Sequence, residues 1–205
     1  MVQQFILGFL FITLINACSA QKNITMKTFD IETFNKNKDG LNRRSYIDED
    51  DFIIKQSDDE YEYYETIKHK DSFIQTINRY YKSGQLKMTV KDFPNNFLAG
   101  VKKEFDEQGN LIKETDYDAP YKFTWEDILK LIEERELNMN DEQFEILRGS
   151  DEKSASWTIV FEQKGVYDKL SVINIDGVTG EITREAEIDY PTGGEYETLP
   201  NMEDE

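Results

Sequence analysis

Cys18 and His69 are the only thiol and the only imidazole in this 205-residue chain. A lone Cys cannot close an internal disulfide, and with a single His it falls short of the ligand set of a zinc site. His69 lies in Lys68-His69-Lys70, a polar, charged setting. No residue type nearby would orient it as a general base, so it reads as a solvated surface side chain. Carboxylates are the abundant group, with 42 Asp and Glu against 24 Lys and Arg and a net charge of −18. At that density acidic pairs arise by chance, so glycosidase-like spacing carries no information. The chain has neither a Gly-rich phosphate loop nor a dinucleotide fingerprint. No catalytic residue, metal site or cofactor is therefore assigned, and the chain is read as not an enzyme. The acidic balance also argues against nucleic acid, whose phosphates need a cationic face.

Cys18 has a second possible use. Residues 5–15 form an apolar run of eleven, too short to cross about 30 Å of hydrocarbon as a helix and of the length of a signal-peptide core. No Lys or Arg precedes it, a departure from the usual signal pattern. The run ends in Ile15-Asn16-Ala17-Cys18, which resembles a bacterial lipobox. The resemblance implies that residues 1–17 are removed and that Cys18 is lipidated, anchoring the protein to a membrane through several acyl chains. Cleavage after Ala20, releasing a soluble periplasmic or secreted product, is the alternative.

The elements that would carry any function follow. Residues 18–45 are polar and read as a tether; Asn35 to Gly40 resemble the start of a calcium loop, but Tyr46 stands where a bidentate Glu belongs. Residues 46–120 alternate and are rich in aromatics, predicting strands at 73–81 and 86–90. Tyr61 and Tyr63 would share one face of a further strand, with Glu60 and Glu62 on the other. Tyr80, Gly84 and Leu86 recur as Phe105, Gly109 and Leu111, displaced by 25 residues. Each set predicts a hairpin in which Gly takes a positive φ and Leu returns to the aromatic's face. The segment 80–117 resembles MORN-variant repeats of bacterial surface proteins.

Thr124-Trp125-Glu126-Asp127 is a capping-box variant opening an amphipathic helix to about Leu137. Phe144, Ile146 and Arg148 alternate, and further strands are expected at 157–163, 169–175 and 181–188. Asp176-Gly177-Val178-Thr179-Gly180-Glu181-Ile182 predicts a turn capped by Asp176, closed by Thr179 and given its positive φ by Gly180. This part, about 122–188, resembles a PepSY-type module, which implies a secreted, non-catalytic unit that binds or inhibits other proteins. The expected fold class is α+β: an antiparallel β-hairpin repeat region at 46–120 and a helix-plus-antiparallel-sheet module at 121–190. Residues 191–205 read as a disordered acidic tail.

Negative charge gathers at 48–51, at 58–65 and in the last three residues. A solvated, solubilising surface is one reading. The other is steering of a cationic protein partner by Asp58, Asp59 and Glu60, with Tyr61 and Tyr63 supplying contact area. The expectation is thus an exported, lipid-anchored binding protein, with an immunity or inhibitor protein as the specific version. A structural envelope component and a carboxylate-based hydrolase are the competing readings.

Overall fold

The computed structural model describes residues 27–93, 96–151, 153–162 and 169–189; Cys18, the apolar run and the tail lie outside them. The chain is α+β, with strand far outweighing helix. Helix α1 (Ile31–Asn37) precedes seven strands: β1 (Arg43–Ile47), β2 (Phe52–Asp58), β3 (Glu62–His69), β4 (Gln75–Tyr81), β5 (Leu86–Phe93), β6 (Phe97–Phe105) and β7 (Leu111–Asp116). Helix α2 (Trp125–Glu134) then leads into β8 (Glu145–Ser150), β9 (Ala155–Glu162), β10 (Lys169–Asp176) and β11 (Ile182–Asp189). Strands β1–β7 form one antiparallel meander in chain order, and β8–β11 form a second.

Local chemistry explains the connections. In the turn at 81–85 the Tyr81 N–H donates to the Gln85 carbonyl (2.9 Å) and the Gly84 N–H to that of Tyr81 (2.8 Å). The turn at 106–110 repeats this with Asp106, Gly109 and Asn110, both bonds being 3.0 Å. Gly84 and Gly109 each sit at φ 85°, where a Cβ would be strained. Both hairpins carry a register shift just before Tyr80 or Phe105. The same pattern occurs twice more, at 39–43 and 48–52, with Asn42 (φ 57°) and Asp51 (φ 64°) in the glycine's place. Asp39, Asp48 and Asp106 open three of the four turns, each Oδ1 accepting two backbone N–H groups.

The tether reading does not hold from Phe29 onward. Asp30 caps α1 by accepting from the Thr33 N–H at 3.0 Å, and Phe34 is fully buried. Phe29 stacks on Tyr63 (centroids 4.5 Å apart, 16°), and Thr28 bridges to Gln85. These rings need apolar cover, and the polar stretch supplies it. The Tyr61 expectation is also corrected: Tyr61 lies in the β2–β3 turn, while Glu62 and Tyr63 begin β3 and are both buried.

Two core clusters share one face of the seven-stranded sheet. Beneath α1 lie Phe29, Phe34, Tyr63, Tyr80 and Leu86. Toward the other end of the strands, Phe93 and Phe97 join Ile128 and Ile132 of α2 and Ile146, Trp157, Ile159, Ile173 and Ile175 of the second sheet. The capping box is complete: Thr124 Oγ1 accepts from the Asp127 N–H (3.4 Å), and Asp127 Oδ2 from the Thr124 N–H (3.0 Å). Asp176 Oδ1 accepts from the N–H groups of Val178 (2.9 Å) and Thr179 (2.7 Å) and from the Thr179 hydroxyl (3.0 Å). Gly177 and Gly180 are tightly enclosed, since a Cβ would meet Ala155 or the Phe123 ring.

Candidate functional site

Because the meander alternates direction, the turns at 39–43, 59–62, 81–85 and 106–110 all lie at one end of the large sheet. The opposite end packs on α2 and the second sheet. This rim contains the residues expected to meet a partner, and the structure separates their roles.

Asp58 is largely buried and ion-paired with Lys82 (3.0 Å) and Lys38 (3.6 Å). Among the described residues its Oδ1 has no hydrogen-bond donor. Asp59 builds the turn: its carboxylate accepts from the Tyr61 N–H (2.7 Å), the Glu62 N–H (2.9 Å) and the Tyr64 hydroxyl (2.7 Å). The Tyr64 hydroxyl, then the backbone donors, hold Asp59 below the usual carboxylate range. Tyr63 is buried between Phe29, Phe34 and the Lys82 ammonium, 4.2 Å from its ring centroid, and presents no contact area outward. Glu60 and Tyr61 remain at the tip, Tyr61 being 72% exposed. Leu41, on the adjoining turn and 70% exposed, was not singled out from the sequence. The two turns are joined by the Asp58 N–H, which donates to the Asn42 carbonyl at 3.3 Å.

The rim carries further fixed negative charge. Asp39 is held low by the N–H groups of Arg43 and Leu41, and Asp106 by the Asn110 side chain and backbone. Glu107 is exposed beside Asp106. Behind the rim the sheet is internally neutralised. Glu65 accepts from the Lys27 ammonium, Gln56 Nε2 (3.1 Å), Asn78 Nδ2 (3.1 Å) and the Tyr80 hydroxyl (2.8 Å). Burial pushes Glu65 upward, but Lys27 and the neutral donors outweigh it and leave it low. Burial, then the Glu65 charge, drives the Tyr80 hydroxyl well above the ordinary tyrosine range. On the other face of β3, Glu62 pairs with Arg79 (2.6 Å) and with Lys87, and stays low despite its burial.

His69 is on the surface, its Nδ1 accepting from the Asp71 N–H at 3.3 Å, with Phe52 edge-on. Among the described residues no group of three or more His, Cys, Asp or Glu could hold a metal ion, and no helix is long and apolar enough to cross a membrane. No family model, curated protein or solved structure matches the chain.

Proposed function

We propose that the protein is an exported, lipid-anchored, non-enzymatic binding module whose rim takes a cationic protein partner, in the manner of an immunity or inhibitor protein. The observation that carries this reading is the juxtaposition of exposed Tyr61 and Leu41 on neighbouring turns with Glu60 and the carboxylates of Asp39 and Asp59. An aromatic and an aliphatic side chain supply apolar contact, and the fixed charges steer a basic surface onto it. The matching turns at 81–85 and 106–110 support the MORN-like reading of this region, and the Asp176 turn supports the PepSY-like reading of 122–188.

The anchor bears on where binding occurs. Eight residues, 19–26, separate Cys18 from Lys27. Fully extended they reach about 27 Å. Thr28 bridges to Gln85 in the rim turn 81–85, so an acylated Cys18 keeps the rim close to the bilayer. The partner is then engaged near the membrane surface.

The test is affinity capture from envelope extracts by the mature chain at low and high salt. Its control is a Glu60→Lys, Tyr61→Ala double variant, which spares Asp58, Asp59 and Tyr63. A basic protein should be captured at low salt, with association slowed roughly tenfold in the variant and steeply by salt. Capture of no protein at low salt, or of one indifferent to both changes, would overturn the reading.

A further inference from the structure

At the opposite end of the large sheet, a cleft of about 360 Å³ opens where β5 and β6 meet the start of α2 and the strands β8 and β9. Its size falls within the range of small-molecule sites, about 300–1,000 Å³. We propose that this cleft binds a small zwitterion bearing a planar ring, of the size of an aromatic amino acid.

Three rings form its apolar wall. Tyr121 and Trp157 lie 4.9 Å apart between centroids, and Trp125 stands 6.4 Å from Trp157. Trp157 is fully buried and fixed by its indole N–H, which donates to the Phe123 carbonyl at 3.0 Å. Trp125 is only partly buried, which leaves ring surface for stacking.

At its base sits the Arg148 guanidinium, with a side chain only 6% exposed. It lies 4.8 Å from the centroids of both Phe97 and Tyr121. Its position is set by Asp118 Oδ1 (2.8 Å) and by the Leu98 carbonyl. Asp118 is itself held by the Gly100 N–H (2.9 Å). Gly100 lies at φ 66°, a conformation that favours glycine. Asp118 and Leu98 use two guanidinium donors of the five an arginine offers, leaving capacity for a carboxylate.

Besides the Arg148–Asp118 pair, the mouth carries one charge of each sign. Lys91 and Glu126 both line the cleft, both are exposed, and neither has an ion-pair partner among the described residues. An α-amino acid matches this arrangement. Its carboxylate meets Arg148 and Lys91, its ammonium meets Glu126, and its ring enters the aromatic wall. Ligands lacking either charge leave one of these groups unanswered.

The chain's two tryptophans are Trp125 and Trp157, so intrinsic emission reports on this cleft alone. The full mature chain is titrated with L-phenylalanine, phenylacetate, phenethylamine and N-acetyl-phenylalanine amide, each non-fluorescent at tryptophan wavelengths. L-Phenylalanine should shift the emission with half-saturation below about 1 mM. Phenylacetate and phenethylamine, each lacking one charge, should bind about tenfold more weakly, and the capped amide, lacking both, about a hundredfold. Lys91→Ala and Glu126→Gln, both at exposed positions, should each weaken L-phenylalanine about tenfold while circular dichroism stays unchanged. Silence toward L-phenylalanine up to about 10 mM would overturn the proposal. So would indifference to both substitutions, or preference for the capped amide, which would mark a peptide side-chain site instead. None of these outcomes depends on a partner at the rim.

Discussion

The core beneath α1 and the core beneath α2 are built from different forces. In the seven-stranded sheet Gln56, Glu65 and Asn78 are buried on the α1 side and Glu62 on the other face. Their carboxylates are answered by cations, one of which, Lys27, comes from the segment that carries α1. Residues 27–45 hold five basic and three acidic side chains in a chain of net charge −18, so a locally cationic segment folds over an acidic sheet. The second core sets Trp157 and six fully or nearly buried isoleucines, among them Ile128 and Ile175, around β9 and β10. Its stability should follow buried apolar area, whereas that of the first should also follow charge.

The largest effects come from emptying each core. Trp157→Ala and Phe34→Ala should each cost about 3–5 kcal/mol, since both side chains are fully buried and leave cavities. Native-state hydrogen exchange checks whether the cores are separable. Loss of protection confined to β8–β11 for Trp157→Ala and to β1–β5 for Phe34→Ala would sharpen the distinction. Uniform loss over both sheets in either variant would break it, because Phe93 and Phe97 of the large sheet belong to the second cluster.

Next in size is the buried carboxylate. Glu65→Ala should cost about 2–3 kcal/mol, because it strips the charge-assisted bonds of Tyr80 and Asn78 and leaves their polar groups enclosed. Acid should do much the same to the intact protein. Glu62 and Glu65 are both held below their ordinary value in the folded chain. A depressed folded-state value means stability that is complete above the unfolded value of about 4.3 and lost as pH falls through the folded one. Tryptophan emission follows the second core, whereas far-UV circular dichroism follows both sheets. As pH falls below about 4, dichroism should begin to change before the emission does. Coincident acid transitions would count against an electrostatic first core.

Much of this architecture was legible where one residue type does one local job. Thr124 and Asp127 cap α2, Asp176 and Thr179 close their turn, and Gly84 and Gly109 take the positive φ that their hairpins require. The turns at 39–43 and 48–52 escaped notice because Asn42 and Asp51 occupy the left-handed position, and both residue types are common elsewhere. Helix α1 was missed because seven residues give too few turns for a periodic pattern, and its apolar face is little more than Phe34. At the rim, charge was visible but partners were not. Asp58 and Tyr63 resemble surface residues until Lys38, Lys82 and Phe29 arrive from distant positions in the chain. The Arg148 cleft carried no local signal, because its walls come from six separate segments; Thr124, Trp125 and Glu126 were legible only as a helix start, and Arg148 and Trp157 only as members of strands.

The smallest predicted effects come from turns that the two sheets share in kind. Asp106→Ala at the rim and Asp176→Ala in the second sheet each remove side-chain bonds to exposed backbone N–H groups. Each should lower the urea midpoint only slightly, less than any of the core substitutions. Both carboxylates are held low, Asp106 first by the Asn110 side chain and Asp176 first by the Thr179 N–H, so both turns weaken on acidification. Their contributions therefore act in the same direction in the two sheets. An Asp106→Ala, Asp176→Ala double variant should keep the early dichroism change at its original pH, because that change originates at Glu62 and Glu65. If the double variant instead makes the two acid transitions coincide, the difference between the sheets resides in their turns and the buried carboxylates are incidental to it.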